Sequence, residues 1–163
     1  MCTNMTPILF PITYKCNLSC SYCTVRNSRK EPNIRECLQK IAKSNNDWVF
    51  VTGGEPLLLD NIIDVCLKLK IMGKKIGLTT NGTIFDKFDI IKNIDRIGVS
   101  IDGSKELTDR YRGKGTFDKA MFFLLQCVGK VETVIMATVK EKNEDIIKIA
   151  KDINVDYLQV TYL

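Results

Sequence analysis

An α/β fold, a partial (β/α)6 TIM-like barrel of six parallel strands left open on one side, is predicted by three observations on the 163-residue chain. Short runs rich in β-branched and aromatic residues alternate along the sequence with longer segments of helical period. Two of those runs, VFV (49–51) and IMATV (135–139), are almost unbroken apolar stretches, as strands covered on both faces must be. No linker, internal repeat or low-complexity tract interrupts the pattern, so a single domain over 1–163 is expected.

The strands expected in chain order are PILFPIT (7–13), DWVFVT (47–52), KKIGLTT (74–80), DRIGVSI (95–101), TVIMATV (133–139) and VDYLQVTY (155–162). Helices are expected between them at 33–44, 58–72, 86–93, 116–129 and 143–152, where apolar residues recur near i, i+3 and i+4. Strict alternation implies parallel strands joined by right-handed crossovers. A closed barrel takes about eight such units, and six strands leave a curved sheet with one flank uncovered.

Composition narrows the function. Apolar residues at 45% and charged residues at 26% exclude a disordered or fibrous chain. The net charge of +5 is modest, and the lysines of MGKK (72–75) and KEKNED (140–145) read as solvated surface, so no nucleic-acid partner is expected. The start, MCTNMTPILFP, has no basic segment followed by a long apolar one, and the run AMFFLLQCV (120–128) is too short to span a bilayer. A soluble cytoplasmic protein without a membrane partner is therefore expected.

Seven cysteines without a secretory signal point to metal or catalysis rather than a disulfide framework. Cys37, Cys66 and Cys127 lie in apolar helical patterns and are expected in the core. No histidine occurs, which excludes His-ligated zinc and Ser-His-Asp chemistry. That leaves CNLSCSYC (16–23), with Cys16, Cys20 and Cys23 in a C-x-x-x-C-x-x-C spacing. A structural zinc site takes four closed ligands, and here a fourth would have to come from Cys2, Cys37, Cys66 or Cys127. An iron–sulfur cluster on three thiolates instead leaves one iron open to a small molecule, and this reading is preferred.

In parallel α/β folds the site gathers at the carboxyl ends of the strands. The unusual residues fall there: the cysteines after strand one, GGEP (53–56) after strand two, TNGT (80–83) after strand three and DGS (102–104) after strand four. Gly53 and Gly54 permit torsions and close approach denied to other residues, and Pro56 suits the first turn of a helix. Thr80, Asn81 and Gly82 are read either as a turn or as pocket lining. Ser100 and Asp102 share a face at the mouth of the sheet, where a carboxylate can accept from ribose hydroxyls, although Ser-x-Asp before Gly also suits a turn or cap. Arg112 offers a planar fork of donors for a carboxylate.

With Tyr22 just before the last cysteine and GGEP after strand two, the cysteine triplet resembles the signature of the radical S-adenosylmethionine (SAM) enzymes, and the likeness spans essentially the whole chain. The stretch GVSIDGSKELTDRYRGKGTFDKAM (98–121) is similar to the peptide- and protein-modifying, SPASM-type subgroup, without its C-terminal cysteine-rich extension. The resemblance implies a [4Fe-4S] cluster on Cys16, Cys20 and Cys23 and SAM as second cofactor. It implies that Gly53, Gly54, Glu55 and Pro56 receive the SAM amino group, that Tyr22, Asn81, Ser100 and Asp102 border SAM, and that Arg112 pairs with its carboxylate. Strands five and six, with Thr138, Tyr157, Gln159 and Thr161, are expected to flank adenine and substrate. It also implies an external flavodoxin- or ferredoxin-type electron donor, and a 5'-deoxyadenosyl radical that takes hydrogen from a peptide or protein substrate. A nucleoside or cofactor precursor, activation of a glycyl-radical partner, and a non-enzymatic iron–sulfur carrier or regulator are the competing expectations.

Overall fold

The computed structural model describes residues 7–25, 30–140 and 145–163; Cys2 and the first two residues of the helix expected at 143–152 lie outside them. Six strands, β1 (Ile8–Thr13), β2 (Trp48–Gly53), β3 (Lys75–Thr80), β4 (Arg96–Ser100), β5 (Glu132–Val139) and β6 (Tyr157–Tyr162), form one sheet in strictly sequential order. Every neighbouring pair is parallel. Sequential parallel winding is the barrel pattern, and the fold is an open, partial TIM-like barrel of the α/β class as the alternation predicts.

The outer face of the sheet is covered by α1 (Ile34–Ala42), α2 (Ile62–Ile71), α4 (Thr116–Cys127) and α5 (Asp145–Ile153). Their apolar stripes bury Val49, Val51, Ile76, Leu78, Ile97, Val99 and Ile135 from β2 to β5, together with Phe123 and Leu124 of α4. Cys66 and Cys127 are fully buried here, and Cys37 packs against the same core from partial exposure, so all three take the core role expected of them.

Three elements differ from expectation. The segment 86–93 is not an α-helix but a 3-10 stretch, Phe88–Asn93, which the side chain of the preceding Lys87 does not cap. It is too short to pay the cost of α-helical nucleation, and Ile90 is anchored in the core while Phe88 packs edge-on to Phe123. The helix expected from 58 begins only at Ile62, because Pro56 opens a separate 3-10 turn, Pro56–Leu58, capped by the Glu55 carboxylate. Finally, α3 (Lys105–Arg112) was not expected at all. Its buried positions are Thr108 and Arg112, so it has no apolar stripe to read.

Strand register is set by carboxylates at strand starts. Asp95, just before β4, accepts the N–H of Ile76 on β3 at 2.7 Å, and Asp156, just before β6, accepts the N–H and hydroxyl of Thr133 on β5 at 2.7 and 2.8 Å. At the edge, Pro11 in β1 has no N–H to give, and the β1–β2 register shifts between Pro11 and Thr13.

The Thr133 hydrogen bonds hold the Asp156 carboxyl below the usual aspartate range. A lowered folded-state pKa gives stability that is complete above the unfolded value and is lost as pH falls through the folded one. Urea midpoints should therefore drop below about pH 4, and Asp156→Asn should flatten that acid limb; an acid limb identical to that of the unsubstituted chain would contradict the assignment.

Candidate functional site

The loop carrying the cysteines leaves β1 and is held from three directions. At its start, the Thr13 hydroxyl donates to Glu31 at 2.8 Å, and the Tyr14 N–H reaches the same carboxylate at 3.2 Å. In its middle, the Ser21 N–H donates to the Tyr111 carbonyl of α3 at 2.9 Å. At its end, the Tyr22 hydroxyl donates to Asp102 at 2.6 Å. Glu31 was not singled out from the sequence, since a lone acid in a polar loop gives no periodic or motif signal.

The GGEP turn packs on this same loop, backbone against backbone. The Gly54 N–H donates to the Thr13 carbonyl at 2.7 Å, and the Glu55 N–H to the Lys15 carbonyl at 2.8 Å. A Cβ on Gly53, whose φ is +131°, would stand 2.1 Å from the Thr13 oxygen, and one on Gly54 would stand 2.1 Å from the Lys15 oxygen. The sequence suggests glycines so that a ligand can come close; the structure shows that the chain's own residues 13–15 already do so.

Glu55 is fully buried, and its carboxylate accepts from the Thr80 hydroxyl at 2.8 Å, the Asn81 N–H at 2.7 Å and the Leu57 N–H at 3.0 Å. Burial pushes its carboxyl above the usual glutamate range against those three donors. It acts as a staple between the end of β2 and the end of β3. Asn81 is both turn and lining: Gly82 follows it at φ +69°, while its side-chain amide donates to Asn17 at 2.8 Å and lies 3.9 Å from the Cys16 sulfur.

Asp102 is 2% exposed, and its two oxygens accept from Tyr22, from Nε and Nη2 of Arg112 at 2.8 Å each, and from the Thr138 N–H at 2.9 Å. A carboxylate oxygen pair offers about four lone-pair directions, and protein donors take them here. The ribose hydroxyls expected at Asp102 would have to share these oxygens with protein donors. Burial opposes the charge on Arg112, but the bond and charge of Asp102 outweigh it and push its pKa up. Asp109 accepts the N–H groups of Gly115 and Phe117 at 2.9 Å each and caps α4.

All three cysteines border one cavity of about 280 Å³, together with Gly53, Gly54, Asn81, Ser100 and Arg112. Tyr22, Thr138 and Thr161 also face it, whereas Glu55 and Pro56 stand behind the turn, and Tyr157 and Gln159 line the lower lumen instead. Burial raises the Cys16 thiol, with the Leu18 N–H and Asn81 opposing, and raises the Cys20 thiol, with Arg112 opposing. Thiols release their protons when they bind metal, so this rise opposes metal loading. Cys66 and Cys127, buried under helices, do not reach this cavity to complete a zinc site. Among the described residues no three His, Cys, Asp or Glu side chains gather as they would around a single metal ion. Three soft thiolates on the wall of a cavity suit a cluster, which spreads its ligands over separate irons.

A family model described as the radical SAM superfamily matches residues 10–153. The chain belongs to the radical SAM superfamily. Among curated proteins, the pre-heme d1 synthase of Dinoroseobacter shibae is 29% identical over 173 residues, covering 96% of this chain and 43% of that protein. The GTP 3',8-cyclase of Clostridium perfringens strain 13 is 30% identical over 168 residues, covering 89% of this chain and 51% of that protein. This radical SAM chain thus spans about half the length of these two curated relatives. Among solved structures, Streptococcus suis SuiB bound to S-adenosylmethionine superposes with a TM-score of 0.81 at 19% identity, over 97% of this chain and 41% of that one. The anSMEcpe structure with bound AdoMet and Kp18Cys peptide gives 0.77 at 23% identity, over 96% and 50%. At those identities the structural likeness speaks for the radical SAM fold alone. No helix among the described residues is long and apolar enough to cross a membrane.

Substituting Gly54→Ala places a methyl on the Lys15 carbonyl, a backbone atom that cannot rotate away. The variant should lose at least about 3 kcal/mol in urea unfolding, at the upper end of overpacking costs; a loss below about 1 kcal/mol would show that the turn does not bear on residues 13–15.

Proposed function

We propose that this chain is the catalytic core of a radical SAM enzyme, a single domain over 1–163 in which Cys16, Cys20 and Cys23 hold a [4Fe-4S] cluster. The observation that carries the proposal is the opening of all three thiols, the glycine turn, Ser100 and Arg112 onto one cavity. When bound, the cluster would pass one electron from an external flavodoxin- or ferredoxin-type donor to the SAM sulfonium, whose C5'–S bond would break to give methionine and a 5'-deoxyadenosyl radical able to take hydrogen from substrate.

The chain's own residues bind and orient. The Gly54 and Glu55 N–H groups are spent on the Thr13 and Lys15 carbonyls, and the turn so fixed leaves its own backbone carbonyls to accept from the SAM amino group. Arg112, charged and 9% exposed at the cavity wall, suits the SAM carboxylate, and Asp102 supports it from behind. Ser100 and Asn81 border the same space and suit the sugar or methionine moieties.

A peptide or protein is the first substrate reading, supported by the subgroup pattern of residues 98–121 and by the open flank of the six-stranded sheet. A small molecule such as a nucleoside or cofactor precursor is the second. A specific observation favours it: a largely apolar cavity of about 750 Å³ on the concave face shares Thr52 and Thr79 with the cysteine cavity. Arg96 closes its lower end, stacked 4.8 Å from the rings of both Trp48 and Tyr157 and bonded to Glu132 at 2.7 Å. The names of the pre-heme d1 synthase and GTP 3',8-cyclase point the same way.

Anaerobic reconstitution with iron and sulfide, followed by SAM and dithionite, should yield 5'-deoxyadenosine, and replacement of Cys16, Cys20 or Cys23 by Ala should lower it by at least about a hundredfold. A reconstituted wild-type chain that leaves SAM intact would sink the proposal.

A further inference from the structure

We infer that Asp102 is a positioning residue for both halves of the site: through Tyr22 it holds the Ser21–Cys23 turn, and through Nε and Nη2 it holds Arg112, in one fixed relation before any cofactor arrives. The inference uses the proposed function only for what binds there.

Asp102 stands two residues past the end of β4, and its backbone N–H is tied to the Thr108 hydroxyl of α3 at 3.2 Å. Its side chain gathers donors from three separate parts of the fold: the cysteine loop (Tyr22), α3 (Arg112) and β5 (Thr138). The Tyr22 bond joins residues 80 apart in sequence, so it forms only when the sheet is in place. A buried carboxylate is costly without partners, and this one has a bidentate cation and two further donors.

The rings around it make the same connection. Arg112 lies 5.5 Å from the Tyr22 ring, Tyr22 meets Tyr111 edge-on at 6.2 Å, and Lys140 lies 5.4 and 5.5 Å from the two rings. The Ser21 N–H bonds to the carbonyl of Tyr111, the residue before Arg112. The cysteine turn and the arginine thus share a rigid frame whose one buried anion is Asp102. Removing the Tyr22 hydroxyl leaves the ring packing and takes away only the bond to that anion.

The test is hydrogen–deuterium exchange of the metal-free full chain, read at the amides of Ser21–Cys23 with β2 and β3 as internal control. Tyr22→Phe and Asp102→Asn should each speed exchange in the turn by about ten- to a hundredfold, the range of a hydrogen bond to a charged group, with the control strands unchanged. The double variant should be no faster than Asp102→Asn alone, because both act through one bond. After reconstitution, Tyr22→Phe should bind SAM about tenfold more weakly. Unchanged exchange in Tyr22→Phe, or full addition of the two single effects, would overturn the inference, and if Asp102→Asn does not fold the Tyr22→Phe measurement decides alone. The exchange arm needs no cluster, so a wild-type chain inert toward SAM would overturn the proposed function and leave this inference standing.

Discussion

The site depends first on a backbone contact that only two glycines permit. Residues 13–15 run on from β1 toward Cys16, and the Gly53–Glu55 turn lies against them so closely that two N–H groups reach two carbonyls. Any Cβ at either glycine would occupy the space of a carbonyl oxygen. The end of one strand and the start of the cysteine loop are thereby fixed to the end of the next strand, and the cavity wall is built before a cofactor is considered. A turn that seems designed for a ligand is at the same time a joint between two strands.

Carboxylates supply the next level of order, exposed ones at strand starts and buried ones at strand ends. Asp95 and Asp156 meet N–H groups of the preceding strand and fix its register. Glu55 joins the ends of β2 and β3, and Asp102 joins β4, β5, α3 and the cysteine loop. In an open sheet the strand ends have no ring closure to hold them, and short side chains with several acceptor directions can bridge many donors at once. The carboxylates at the carboxyl ends of the strands are engaged with the protein itself, and the groups facing the cavity include the thiols, backbone, Ser100, Asn81 and Arg112.

How far the fold could be read in advance follows from what each element buries. The strands and α1, α2, α4 and α5 bury apolar side chains against one core, and burial of that kind leaves a period in the sequence. Helix α3 buries Thr108 and Arg112 against a polar site, so its period is invisible to any count of apolar residues. The stretch 88–93 fails in the opposite way: its isoleucines and Phe88 have the right spacing for a helix, but it lacks a capping side chain and enough length to favour α over 3-10 geometry.

The amino-acid sequence by itself determined the alternation of strands and helices, the cysteine spacing and the placement of GGEP, Asn81 and Ser100 at strand ends, because these depend on local chemistry and order along the chain. Which of those residues face the cavity and which stand behind it was decided by tertiary structure. Asp102 and Glu55 carry the same chemical potential in sequence as any exposed acid. Only the approach of donors from residues as distant as Tyr22 commits them to the frame of the site rather than to its contents. Hydrogen-bond partners are chosen by proximity in space, and proximity between segments 80 residues apart exists only once the sheet has formed.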